Sequence, residues 1–260
     1  MAAYAGAGIL PPRPPQHPAL GCRGAGETVQ TAAVILVFRL ELIMNLCTDH
    51  IPDIIKNKFE FLNYNHALEI LQTSFQDEWK DISLALRRFY LTKLDIMQGG
   101  GNESPIPPKF SKILSPRGWK EIKITGDLCI KFYPRKQGTR SGVFARKAEN
   151  EKIIKNYIDG HNIDYVKSRV AIDVEWNSKD QTFDRDLFAM RTYYECDIIS
   201  VGVIITRSES LNNTFRELNI INKYGASTTW MGKLKPRLDA RRHGGCPLLA
   251  VGITDKCIID

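Results

Sequence analysis

Six cysteines and five histidines are spread over 260 residues, and no two cysteines stand in a CxxC spacing. Neither they nor the scattered histidines form a zinc pattern. Cys22, Cys47, Cys129, Cys196, Cys246 and Cys257 read as reduced, mostly structural thiols of a cytoplasmic protein. Long apolar runs are also missing. The longest candidate, residues 32–44, is broken by Arg39 and Glu41 and falls short of a membrane span. The same two charges stand where a secretory signal needs small residues for cleavage. Acidic charge is in deficit: 29 Asp and Glu face 36 Lys and Arg, a formal net charge of +7 with a pI of about 9.0. Nucleic acid is one anionic partner that fits this balance, although many basic proteins bind nothing anionic. Hydrophobic content of 43% and charged content of 25% are ordinary, and the length suffices for one large domain or two small ones.

What is present begins with a segment rich in Ala, Gly and Pro, residues 1–31, with PPRPP at Pro11–Pro15. It lacks periodicity and is expected to be disordered. Globular sequence starts near Met44. Residues 1–43 are therefore expected to be an extension without a part in the chemistry, and residues 44–260 a single domain. From Asn45 to Leu94 the pattern is helical, with Trp79, Ile82, Leu86 and Phe89 in one stripe and Ala67, Ile70 and Leu71 in a shorter helix. Gly99–Gly101 and the SPIPPKF run at Ser104–Phe110 read as a linker or long loop. Two short strands are expected at Trp119–Ile124 and Leu128–Tyr133, then a basic loop at Pro134–Arg146. A helix is expected at Ala148–Ile158, with Ile153, Ile154, Tyr157 and Ile158 facing inward.

The chain is organised around residues 163–191. Between Arg169 and Trp176 hydrophobicity alternates with a period of two. Val170, Ile172, Val174 and Trp176 would face one side of a strand, and Ala171, Asp173 and Glu175 the other. Asp164 lies nine residues earlier, on what reads as a neighbouring strand. Crowded carboxylates raise each other's pKa unless a cation sits among them, and oxygen-rich clusters suit Mg²⁺. A Mg²⁺ site for phosphodiester hydrolysis is one reading; acids on the wet face of an ordinary strand are the other. Asp184 is placed to cap a helix running to about Cys196. Ile198–Thr206 has the continuous apolar character of a strand buried on both faces. Strand, helix and buried strand together predict a mixed α/β sheet with helices on both sides.

Residues 223–242 hold a second informative stretch. Ser227, Thr228 and Thr229 are followed by Lys233, Lys235, Arg237, Arg241 and Arg242. Such groups serve phosphates and base edges, and an exposed basic loop before a last strand at Cys246–Ile253 is the competing reading. Lys179 is a candidate phosphate contact on the same terms.

The segments VAIDVEWNSKDQTFDRDL, VGVIITR, YGASTTWMGKL and GGCPLLAVGI resemble the BglII/BstYI group of type II restriction endonucleases. The similarity extends over most of residues 44–260. It implies an α/β, restriction-endonuclease-like core of the PD-(D/E)xK kind, with a mixed central sheet flanked by helices. It implies a homodimer that cuts double-stranded DNA with Mg²⁺ at a short GATC-centred palindrome, leaving 5′-phosphate ends. A cognate DNA methyltransferase would act on the same site. Carried across by position, Asp164 and Asp173 correspond to metal-binding acids, and Glu175 completes a catalytic set with them. Asn177 and Ser178 fall where the family places polar residues near DNA. Ser227, Thr228, Thr229 and Lys233 fall in a segment expected to approach the target. The family usually has Glu at the place of Asp173, whose carboxylate is set back by roughly 1.5 Å. A non-catalytic DNA-binding relative with a weakened metal site is the alternative. Trp230 also stands where His is expected.

Overall fold

The computed structural model describes residues 51–98, 104–136 and 143–259. The expectations for residues 1–43, for Gly99–Gly101 and for the centre of the basic loop lie outside them. Among the described residues six strands form one mixed sheet, ordered β1-β6-β5-β4-β3-β2. These are β1 (Phe59–Tyr64), β2 (Lys120–Phe132), β3 (Asn150–Lys167), β4 (Val170–Glu175), β5 (Val201–Arg207) and β6 (Leu248–Ile253). Strands β4, β5 and β6 run parallel, whereas β1, β2 and β3 pair antiparallel with their neighbours. The helices are α1 (Asp53–Lys56), α2 (Ala67–Ser74), α3 (Gln76–Arg88), α4 (Lys93–Met97), α5 (Ile106–Leu114), α6 (Thr182–Glu195), α7 (Leu211–Glu217) and α8 (Met231–Asp239). No described helix is long and apolar enough to cross a membrane.

The alternation read for β4 sorts its two faces. Val170, Ile172, Val174 and Trp176 join a core built with α1–α5 and α7. Ala171 joins a second core, under α6 and α8. Burial on both faces explains why the parallel strands β5 and β6 are apolar but for Thr206 and Arg207 at the end of β5. Helix α6 lies close on β5 because Gly202 is there: a Cβ on it would stand 2.6 Å from Met190 Sδ. Its buried stripe is Phe183, Asp186, Leu187, Met190 and Tyr193.

Several elements differ from the sequence expectations. Residues 59–64 are an edge strand, not helix; six residues that place Phe59 in one core and Leu62 in the other do not stand out beside the helical stripe that follows. The SPIPPKF run opens helix α5, with prolines in its first turn, where a missing N–H costs nothing. The two short strands are one, β2, joined through irregular pairing near Ile124–Leu128. Residues 150–158 are not helical but belong to β3. Ile153 and Tyr157 are 55% and 62% exposed on a β2–β3 ribbon that reaches beyond the sheet, so the three-and-four spacing of its apolar residues marks no buried stripe. Asp184 is not the N-cap; Gln181 occupies that position, and Asp184 sits in the first turn paired with Arg237 and Arg242. Residues 231–239 of the expected basic loop are helix α8.

Candidate active site

Strands β3 and β4 bring Asp164 and Asp173 together, with Glu175 two residues further along β4. The backbone N–H of Asp164 donates to Asp173 Oδ1 (3.1 Å), and that of Val174 donates to Asp164 Oδ2 (2.9 Å). These reciprocal bonds fix both carboxylates across the end of the β3–β4 pair. Glu175 follows Asp173 on the same face of β4. Its backbone carbonyl accepts a hydrogen bond from Thr206 Oγ1 (2.7 Å), which ties the strand end to β5. Asp164 borders two clefts. One, of about 510 Å³, is shared with Glu121, Tyr165, Val174, Trp176 and Ser178. The other, of about 390 Å³, includes His161, Asn162 and Arg185.

The electrostatics show strain that a cation would relieve. Burial, with the negative charges of Asp186, Asp173 and Asp164, pushes Glu175 up to about 8 despite a hydrogen bond from Ser178. Burial and the neighbouring Asp173 push Asp164 up to about 6. Asp173 Oδ2 and Glu175 Oε2 are buried without a hydrogen-bond partner. Unpartnered, buried carboxylate oxygens fit the donor chemistry of a hard divalent cation.

Two residues that the sequence reading missed complete the surroundings. His161 on β3 has Nε2 3.2 Å from Asp186 Oδ1 and 3.7 Å from Asp173 Oδ2. Its bonding to Asp173 and Asp186 raises its pKa to about 9. Asp186 is fully buried on α6, and burial holds its pKa above the ordinary value. A signal existed for Asp186, a carboxylate within an apolar stripe at helical spacing. For His161 there was none.

The chain reverses at Asn177, which adopts φ +59° directly after β4. Residues 178–180 then pair with 227–229. Thr229 N–H donates to Ser178 O (2.8 Å), Ser178 N–H to Thr229 Oγ1 (3.1 Å) and Asp180 N–H to Ser227 O (2.9 Å), with Lys179 bridged to Thr228. The predicted DNA-facing groups thus form one unit beside Glu175. Lys179 and Ser227 are exposed, whereas Thr229 is fully buried and its hydroxyl is engaged. Thr228 Oγ1 receives a bond from Arg207 (2.8 Å). Arg207 is 1% exposed, with its guanidinium within 6 Å of the rings of Phe215, Tyr224 and Trp230. Lys233, Lys235, Arg237 and Arg242 all face carboxylates of their own chain.

The mixed sheet thus presents acids on adjacent strands beside a polar loop pair. The restriction endonuclease BglII/BglIII family model matches residues 59–253, from the first residue of β1 to the last of β6. The chain belongs to that family: it is a type II restriction endonuclease, a site-specific deoxyribonuclease that binds DNA. Enzymes of this family generally work with a divalent metal, and among the described residues His161, Asp173 and Asp186 bring donor atoms within 4.8 Å of one another. No curated protein matches the chain significantly.

Proposed function

We propose that the protein hydrolyses double-stranded DNA in a Mg²⁺-dependent reaction at a short GATC-centred palindrome. It acts as a homodimer, leaving 5′-phosphate and 3′-hydroxyl ends. The observation that carries this reading is the pairing of Asp164 with Asp173 across adjacent strands, with Glu175 next on the same face of β4 and with a buried, unpartnered oxygen on Asp173 and on Glu175. Asp164 and Asp173 would hold the ion, and Mg²⁺ when bound supplies charge stabilisation at the scissile phosphate. Glu175 orients the attacking water and takes its proton, a role open to it once a bound cation offsets the burial and neighbouring acids that otherwise keep its carboxyl protonated. Lys179 and Ser227 approach the DNA backbone or base edges from the 178–180 and 227–229 segments. Ser178, Thr228 and Thr229 hold those segments in register, Asn177 turns the chain toward the DNA beside them, and Lys233 adds positive charge beside Asp180. Two subunits related by a two-fold axis match a palindrome, each cutting one strand. A cognate methyltransferase would protect the same sequence.

The test is digestion of unmethylated and GATC-methylated phage DNA with Mg²⁺, followed by sequencing of the ends. Discrete fragments whose 5′-phosphate ends map to GATC-centred sites are expected. Binding without cleavage, in Mg²⁺ and in Mn²⁺, would instead make the protein a DNA-binding relative that has lost its chemistry. Fragments ending at unrelated sequences would remove the target assignment and leave the nuclease.

A further inference from the structure

His161, Asp173 and Asp186 converge from β3, β4 and α6, and one ligand atom of each lies within 4.8 Å of the others. Two of the three separations are 3.2 and 3.7 Å, both from His161 Nε2. Around an ion with bonds of about 2.1 Å, adjacent ligand atoms stand about 3.0–3.4 Å apart, so small movements would close the shell. Asp186 is 0% and Asp173 3% exposed, and each keeps one oxygen without a hydrogen-bond partner. Nε2 of His161 is also buried without a well-aligned partner. Arg185 offers Asp186 its only other nearby positive charge among the described residues, with a guanidinium nitrogen 3.4 Å from Oδ1, and its side chain is 60% exposed. Buried carboxylates that each face an imidazole nitrogen and each keep one oxygen unsatisfied have the chemistry of a metal site.

We propose that His161, Asp173 and Asp186 form a second divalent-cation site, which shares Asp173 with the Mg²⁺ site and takes Mn²⁺ in preference to Mg²⁺. The preference follows from the nitrogen ligand. Imidazole suits first-row transition ions, whereas Mg²⁺ favours an all-oxygen shell. Asp173 is suited to a shared role because its two oxygens face different ways. Oδ1 accepts the Asp164 backbone N–H and keeps a second lone pair on that side, whereas Oδ2, without a hydrogen-bond partner, lies toward His161. The site deepens the metal assignment proposed above and rests on it only through Asp173.

The probe is Mn²⁺ alone, added to the full-length protein in excess Mg²⁺ and followed by electron paramagnetic resonance. One bound Mn²⁺ per chain is expected, with the hyperfine coupling of an imidazole nitrogen in the pulsed spectrum. His161→Ala should abolish that coupling, and Asp186→Asn should weaken Mn²⁺ binding at least 10-fold, both with an unchanged far-ultraviolet circular dichroism spectrum. Asp164→Asn should lose Mg²⁺-dependent cleavage and keep the nitrogen coupling, which separates this site from the Mg²⁺ site. Wild-type protein that cuts no DNA yet shows the coupling would sink the nuclease reading and support the site. Absence of nitrogen coupling in the wild type overturns the proposal whatever the variants do. So does Mn²⁺ binding that neither substitution alters; the occupant between His161 and the carboxylates is then a proton.

Discussion

Asp173 is a residue whose shortness matters. Its Oδ1 already accepts the Asp164 N–H at 3.1 Å, and its other oxygen faces His161. Restoring the longer acid usual in the family therefore does not improve the site. Asp173→Glu is expected to lower kcat about 10²-fold, because an extra methylene displaces the carboxylate by more than an ångström. Initial rates of plasmid nicking measure this, and a rate equal to or above wild type would refute it. A second prediction concerns pH in the metal-free protein. The folded-state pKa of Glu175, about 8, and of Asp164, about 6, lie above the unfolded values. Between roughly pH 4 and pH 8 the folded chain therefore holds more protons than the unfolded one, and stability falls as pH rises. In EDTA, Tm should be lower at pH 8 than at pH 5, by about 2–4 °C per kcal/mol. Mg²⁺ should narrow the gap, since a cation replaces the protons. A third prediction concerns Arg207, whose pKa burial depresses to about 10, leaving it charged at neutral pH. Arg207→Lys removes the planar fork that reaches Tyr224 O and Thr228 Oγ1. It is expected to raise KM for DNA more than it lowers kcat, and steady-state kinetics on a short duplex separate the two.

At the scale of elements, much of the architecture was legible. Strand β4 and helices α2 and α3 follow from periodicity, and strand β5 from its apolar run, because each buries side chains along its length. Where burial is partial, the pattern misleads. The β2–β3 ribbon leaves Ile153 and Tyr157 exposed, so its helix-like spacing has no core to answer to. The Pro-rich run reads as a loop because proline is a breaker in a helix interior, yet Pro107 and Pro108 lie in the first turn of α5. The site shows the same division. Asp164, Asp173 and Glu175 announce themselves by alternation on adjoining strands. His161 and Asp186 come to Asp173 through tertiary packing alone, one of them from a helix beneath the sheet. Helix α5 offers an element-scale test. Phe110 is fully buried and stacks on Phe89 with ring centroids 4.6 Å apart. Phe110→Ala should cost about 3–5 kcal/mol in urea unfolding.

For the whole molecule, the net charge of +7 overstates what is offered to DNA, because much of the positive charge near α8 is matched within the chain. Contact with about six phosphates would still give a slope of log K against log salt near −5. Fluorescence anisotropy at several salt concentrations measures it, and a flat response would argue against a backbone-contacting complex. The family match, residues 59–253, lies inside the domain proposed to start at Met44. A chain begun at Met44 is expected to keep full cleavage activity.

The interlocked backbone of 178–180 and 227–229 has a bearing on how such an enzyme changes its target. Loop and counter-loop are stitched together through main-chain bonds that no single side-chain replacement can undo. A shift in sequence preference would then arise from paired changes on both sides of the seam, with drift in one partner held back until the other has moved.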